Sequence, residues 1–376
     1  MVKVSYKLLF AGVATIVAAG CSNAGAPNVP QVASGAAHLR GPNAGIARLQ
    51  FENWRSTIQQ LPKPKNACLM ASYPKTQWRE IPCIKPPNTP LLPEHGVRSA
   101  TVGDGTDFAA VVTGHMSFAE GGFDHVTGVK SEYVVRRKHH VSNAYSLQLN
   151  TQFFRTQSCA SLGSPDPQSC FGWEQFAYDT GRPVGLFIEY WLADFGPLGT
   201  KCPSGWHKFV FKEQNEVNCW INSAEIPTPA APITSLEKLR LLGSAAYSSR
   251  DQDFAELIVS LSSIYYVAGQ NWFPDLDSQW QDTEFNIFGD CCGDQAVFNA
   301  GSTIVVRTEV ESGATTAPAC DSEGFTGESN NLYLTGTPGK WRKTQYPSII
   351  FTETNESSGS QASCAEKGSK AYHSLH

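Results

Sequence analysis

The sequence predicts an all-β fold: an antiparallel β-sandwich, jelly-roll or concanavalin-like, with a short N-terminal helix and several disulfides. Three observations predict it. From about Val97 onward, short runs rich in Val, Phe, Tyr and Thr alternate with Gly, Asp, Asn and Ser turns. The 32 Gly and 23 Pro supply turns, while 41% hydrophobic residues suffice for a packed core. After residue 61, hardly any stretch carries helical periodicity.

In order along the chain, Lys3 and Lys7 precede an apolar run from Leu8 to Gly20 that ends in small residues, so residues 1–20 read as a signal peptide. The run is too short for a membrane span of about 20 residues, and no later stretch is long and apolar enough. Its end, "VAAGCS", resembles the lipobox of bacterial lipoproteins, which would make Cys21 the lipidated residue and the new N-terminus. Cysteine parity agrees: of 11 cysteines, removing Cys21 leaves an even set, suited to bridges in an oxidising compartment. The expected location is therefore export, as an outer-membrane lipoprotein or a secreted protein. Losing Lys3 and Lys7 moves the formal charge from −5 to −7. That mild acidity argues against nucleic acid as a partner, and against membrane contact other than through an N-terminal lipid.

Residues 21–43 are small, polar and proline-containing, a tether. Residues 44–93 comprise a helix, a clasp and a connector. In "AGIARLQFENWRSTIQQL", Ile46, Leu49, Trp54 and Ile58 fall at roughly helical spacing, and "PKPK" stops the helix. Cys68 and Cys83 bracket a stapled loop, followed by the proline-rich connector "KPPNTPLLPEHG". Residues 94–355 form the β-sandwich, with strands expected in "DFAAVVTGHMSF", "YSLQLNTQFF", "WEQFAY", "LFIEYWLADF", "HKFVF", "LRLLGSAA", "AELIVSL", "EFNIFG", "STIVVRTEV" and "SIIFTET". Residues 356–376 are a polar tail pinned by Cys364. Proximity suggests the bridges Cys68–Cys83, Cys159–Cys170 and Cys202–Cys219, and elimination adds Cys320–Cys364. Cys291 and Cys292 are adjacent and either join each other or pair elsewhere.

The usual chemistry signatures are missing: there is no HExxH, no G-x-S-x-G and no P-loop, so neither cofactor nor metal is expected. Turn chemistry accounts for the carboxylates of "VGDGTD" and "FGDCCGD", and His139 and His140 have no ligand-spaced partner. What remains is a set of carboxylates and amides among aromatics in "CFGWEQFAY", "LFIEYWLADF" and "QWQDTEFNIFGD". Strand alternation puts Phe187, Glu189 and Trp191 on one face and Ile188, Tyr190 and Leu192 on the other. Trp173 and Gln175 share a face, and Glu174 points opposite with Phe176. If the Ile188 face fills the core, the Glu189 face opens on water or on a groove. A glutamate between aromatic rings holds its proton more tightly and can act as an acid.

The segments "CLMASYPKTQWREIPC", "GWEQF", "CPSGW", "EFNIFGD" and "TGESNNL" resemble those of a family of exported bacterial β-sandwich proteins that has no assigned activity. More distantly, "FGWEQFAYDTGRPVGLFIEYWLADFGPLGTKC" followed by "QWQDTEFNIFGD" resembles the neprosin-type glutamic peptidases, antiparallel sandwiches that cleave peptides with two glutamates across a groove. In that layout the first acid's place is Cys170 here, and the second falls near Asp290. Related fungal glutamic peptidases pair a glutamine with a glutamate in a context that "FIEYW" echoes.

Two expectations follow. One is an acid-type hydrolase, a peptidase, with Glu189 as acid or base assisted by Gln175, Glu174 or Asp290. The other is a non-catalytic module whose aromatic face, with Trp173, Phe187, Trp191, Trp272 and Trp280, binds an extracellular polypeptide or polysaccharide.

Overall fold

Alternation of apolar and polar residues along the strands builds two large sheets. A computed structural model describes residues 42–64, 67–94, 101–181, 183–211, 214–245, 252–336, 342, 344–356 and 361–369. The expected signal peptide, Cys21, the tether up to residue 41 and the end of the tail lie outside the described residues. The central strands of the front sheet are β1 (Tyr145–Thr151), β2 (Phe171–Asp179), β3 (Gly185–Pro197), β4 (Glu216–Asn222) and β5 (Asp282–Gly289). They lie in the order β4-β3-β2-β1-β5, flanked by His207–Phe211 beyond β4 and by Ala109–Val111 and then Ala319–Asp321 beyond β5. A ten-stranded back sheet has Phe118–Thr127, Leu239–Ser244, Phe254–Val259 and Thr303–Glu311 at its centre. A smaller third sheet, built around Glu132–Arg136 and Gln295–Phe298, contains one parallel pair. Pairing is otherwise antiparallel, and the layout is that of a sandwich.

Between the two large sheets lies the main core, where Leu147, Phe176, Ile188, Tyr190 and Phe285 of the front sheet meet Phe123, Leu241, Leu257, Val267, Val306 and Phe351 of the back sheet. The sheets approach most closely at two glycines. A Cβ on Gly243 would sit 2.1 Å from the Phe176 ring, and one on Gly121 would sit 1.9 Å from the Phe285 ring. These are strand positions whose missing side chain makes room for a ring of the opposite sheet.

Helix α1 (Pro42–Gln60) packs on the outer face of the back sheet. Phe51, Trp54 and Ile58 meet Ala71, Ile258 and Ile264, and Arg55 donates to Glu120 while lying 3.6 Å from Glu256. The expected stripe is thereby corrected. Residues 51, 54, 55 and 58 form one helical face at 100° per residue, and residues 46 and 49 fall on the opposite face. Ile46 and Leu49 are accordingly exposed.

All four bridges expected from proximity and elimination are present, and Cys291 joins Cys292. Such a set fits an oxidising environment. Among the described residues, no helix is long and apolar enough to cross a membrane. The Cys68–Cys83 bridge closes a loop of sequence separation 15. Replacing both cysteines by alanine is expected to lower unfolding stability by about 3 kcal/mol, read from a urea titration.

Candidate functional site

The front sheet's outer face carries a level row of polar side chains across five strands. Register pairs Asn222 with Glu189, Glu189 with Gln175, Gln175 with Asn150, and Asn150 with Glu284. One step along the strands lies an aromatic row, with Trp220 paired to Trp191 and Trp191 to Trp173. One step the other way lie Phe187, Ala177, Gln148 and Asn286. The Ile188 side does fill the core, and the Glu189 side faces away from it.

That outer face does not open on water, because two segments of the chain cover it. The connector, residues 84–94, runs over it as an extended strap. Ile84 bridges Glu225 in antiparallel fashion, and Pro93 bridges Thr326. The second cover is 325–330, which holds the strap where Gly327 N–H donates to Leu92 O at 2.8 Å. Glu189, Gln175, Asn150 and Glu284 are consequently fully buried.

Two glutamates grip the strap's main chain. Leu91 N–H donates to Glu189 Oε1 at 2.9 Å, and Trp191 Nε1–H donates to the same oxygen at 2.8 Å. Leu92 N–H donates to Glu328 Oε1 at 2.9 Å, and Gly293 N–H donates there at 3.0 Å. Because adjacent amide nitrogens are closer than the ~3.8 Å Cα spacing, the accepting oxygens of Glu189 and Glu328 lie within roughly 10 Å of each other. Beside them, Gln175 Nε2 donates to Gln148 Oε1 at 3.0 Å, and Asn150 Nδ2 donates to Glu284 Oε2 at 3.0 Å. Gln175 Oε1, Asn150 Oδ1 and Glu284 Oε1 accept no hydrogen bond, leaving a line of buried acceptors along the row.

Burial sets the electrostatics. It pushes the Glu189 carboxyl well above the usual range, against the stabilising N–H groups of Trp191 and Leu91. Burial also raises Glu328, but the Gly293 and Leu92 amides and Thr326 hold it to about 7. Glu284 is driven up by burial and then by the charge of Asp107. Behind it, Asn286 Nδ2 donates to Asp107 Oδ2 at 2.9 Å and to Glu353 Oε1 at 2.5 Å. Glu353 is raised to about 8 by burial.

Of the other expected site residues, Trp173, Trp191 and Phe187 lie on the covered face. Glu174 does not join Gln175. It alternates to the inner side opposite Tyr190, fully buried, with both carboxyl oxygens free of hydrogen bonds and its proton held by burial and then by Asp253. Asp290 is also removed from Glu189. It ion-pairs with Arg136 beside Asp179, whose strand position is four residues, or about 13 Å, from Gln175. Trp280 is corrected too: it sits between the sheets against Phe176, because it lies in a loop to which strand alternation does not apply. Trp272 packs edge-on against Trp206. Cys170, at the first acid's place in the neprosin layout, is bonded to Cys159.

Among the described residues, two groups rich in carboxylates have ligand-like spacing. In Asp290–Cys291–Asp294, Arg136 already pairs with both carboxylates and the Cys291 sulfur is in a disulfide. The group Asp282–Asp321–Glu323 lies at the sheet edge, and its burial and mutual charge raise Asp282 to about 7.

Comparison with known protein families, characterised proteins and solved structures found no match to the chain. The site therefore rests on its own geometry.

Sequence reasoning missed Glu328, Asn150, Gln148, Glu284 and Asn286. The last four carry a legible signal, since "SLQLN" and "TEFNI" alternate amide or carboxyl with apolar residues in the same way as "FIEYW". Glu328 lies outside the expected strands and carries no periodic signal.

Proposed function

We propose that this face is a peptide-binding groove and that the protein is an acid-type peptide hydrolase, with Glu189 and Glu328 flanking the bound chain and Gln175 beside them. One observation carries the reading: an extended polypeptide already lies over the row, with successive main-chain amides donated to the two glutamates. Hydrolysis needs one carboxyl that holds its proton and one that gives it up, and the two environments push the pair apart in that sense. Glu328, ionised, takes a proton from water as the water oxygen bonds to the peptide carbonyl carbon. As the C–N bond breaks, Glu189 gives its proton to the leaving nitrogen. The two carboxyls then return to their starting states through solvent. The amide of Gln175 orients the attacking water or the carbonyl oxygen. The neprosin resemblance, with two glutamates across a groove, is compatible with this assignment, although its acid positions are not the ones used here. The signal-like N-terminus, Cys21 and the disulfides support an exported, lipid-anchored or secreted location.

The test is incubation of the purified protein with denatured protein from pH 3 to 7, with cleavage sites mapped by mass spectrometry. Cleavage is expected to rise toward the upper end of this range, as Glu328, held to about 7, ionises while Glu189 keeps its proton. Glu189→Gln and Glu328→Gln are each expected to slow it by about a thousandfold. Equal cleavage by Glu189→Gln, or none at any pH, overturns the assignment. A second reading, binding without cleavage, is favoured by the three tryptophans of the buried aromatic cluster that includes Leu92, and it becomes the outcome if peptides bind but stay intact.

A further inference from the structure

We propose that the strap is a resident ligand of the groove, and that the groove selects extended peptides with two consecutive large aliphatic side chains. This rests on reading the face as a peptide site, and it adds what that site prefers. Leu91 fills a pocket made by Ala177 and Phe187. Leu92 belongs to a second buried cluster, with Ala109, Phe325, Trp173, Trp191 and Trp220, and its Cδ1 lies beside Gly293. Consecutive side chains of an extended chain point to opposite sides, so two neighbouring residues reach two separate pockets while the main chain stays over Glu189 and Glu328.

Three further hydrogen bonds read the strap's main chain. Pro90 O accepts from Cys292 N–H at 3.2 Å, Leu92 O accepts from Gly327 N–H at 2.8 Å, and Pro87 O accepts from Asn222 Nδ2 at 3.3 Å. Any extended peptide can make these bonds, so selectivity falls to the two pockets. The strap is also poorly made as a permanent strand. Pro86, Pro87, Pro90 and Pro93 have no N–H to give a ladder. Asn88 and Thr89 are exposed, and the buried stretch is short, centred on Leu91 and Leu92.

The experiment uses the full chain carrying Leu91→Gly and Leu92→Gly, which empties both pockets while keeping the anchors at Ile84 and Pro93. A synthetic peptide with the sequence of residues 85–94 is titrated in, read by the fluorescence of the pocket tryptophans and by calorimetry. It is expected to bind at least about a hundredfold more tightly than the same peptide with Ser-Ser in place of Leu-Leu. Wild-type protein serves as a second arm independent of the variant's folding: excess Leu-Leu peptide is expected to speed hydrogen exchange at the Leu91 and Leu92 amides, and the Ser-Ser peptide to leave it unchanged. Equal binding of the two peptides, or no change in exchange with either, overturns the proposal. Tight Leu-Leu binding without cleavage upholds this inference and ends the hydrolase reading. Cleavage indifferent to paired aliphatic residues does the reverse.

Discussion

Thermal stability is expected to fall by roughly 15 °C or more as pH rises from 4.5 to 8, because ionising several buried carboxyls costs many kcal/mol at about 1.4 kcal/mol per pKa unit and a chain of this size loses a few degrees per kcal/mol. Burial raises Glu132, Glu225 and Glu353 to about 8 and Glu328 to about 7. It raises Glu189, Glu284, Glu174, Asp179 and Asp107 well above their ordinary values. Each is a carboxyl whose folded value exceeds its unfolded one. Its stabilising contribution is therefore complete below the unfolded value near 4 and is lost as pH climbs through the folded value. The network on the back sheet runs the other way. Glu120 is itself desolvated, but Arg240 and Arg55 hold it near 2, so its contribution is lost only on strong acidification. A stability maximum between about pH 3 and 5 should result, measured by differential scanning calorimetry across pH. A flat profile, or one rising toward neutrality, would show that these carboxyls are ionised in the folded protein.

The second large effect concerns Gly243. Gly243→Ala is expected to destabilise the fold by about 3 to 5 kcal/mol, because its methyl group would occupy the Phe176 ring at a point where two sheets are packed with no slack. Phe176→Leu in the same chain should recover part of that loss, and the double-mutant cycle in urea should show a coupling above about 1 kcal/mol. Additive losses would mean that the two positions do not meet.

Both expectations come from places where sequence alone was differently informative. Alternation in "GLFIEYWLADF" was enough to send Ile188, Tyr190 and Leu192 inward and Glu189 and Trp191 outward, because a two-residue period depends only on local geometry. Disulfide partners close in sequence were legible for the same reason. The cover over Glu189 was not. Leu92 meets Glu328 across a sequence separation of 236, and nothing in "KPPNTPLLPEHG" tells a strap from a linker. The level row from Asn222 to Glu284 likewise needs the registers of four strand pairs, each fixed by the whole sheet and not by either strand.

The chain clasps its sandwich from both outer faces with residues that come first: Phe51, Trp54 and Arg55 on the back sheet, Leu91 and Leu92 on the front. Their seats are made by strands that come much later, Phe254–Val259 for the helix and the Glu328 segment for the strap. A polypeptide emerging N-terminus first thus carries its closing pieces well before their seats, and neither can close until its seat has arrived. In pulse proteolysis during refolding, cuts around Leu91 should accordingly disappear no earlier than cuts around Glu328.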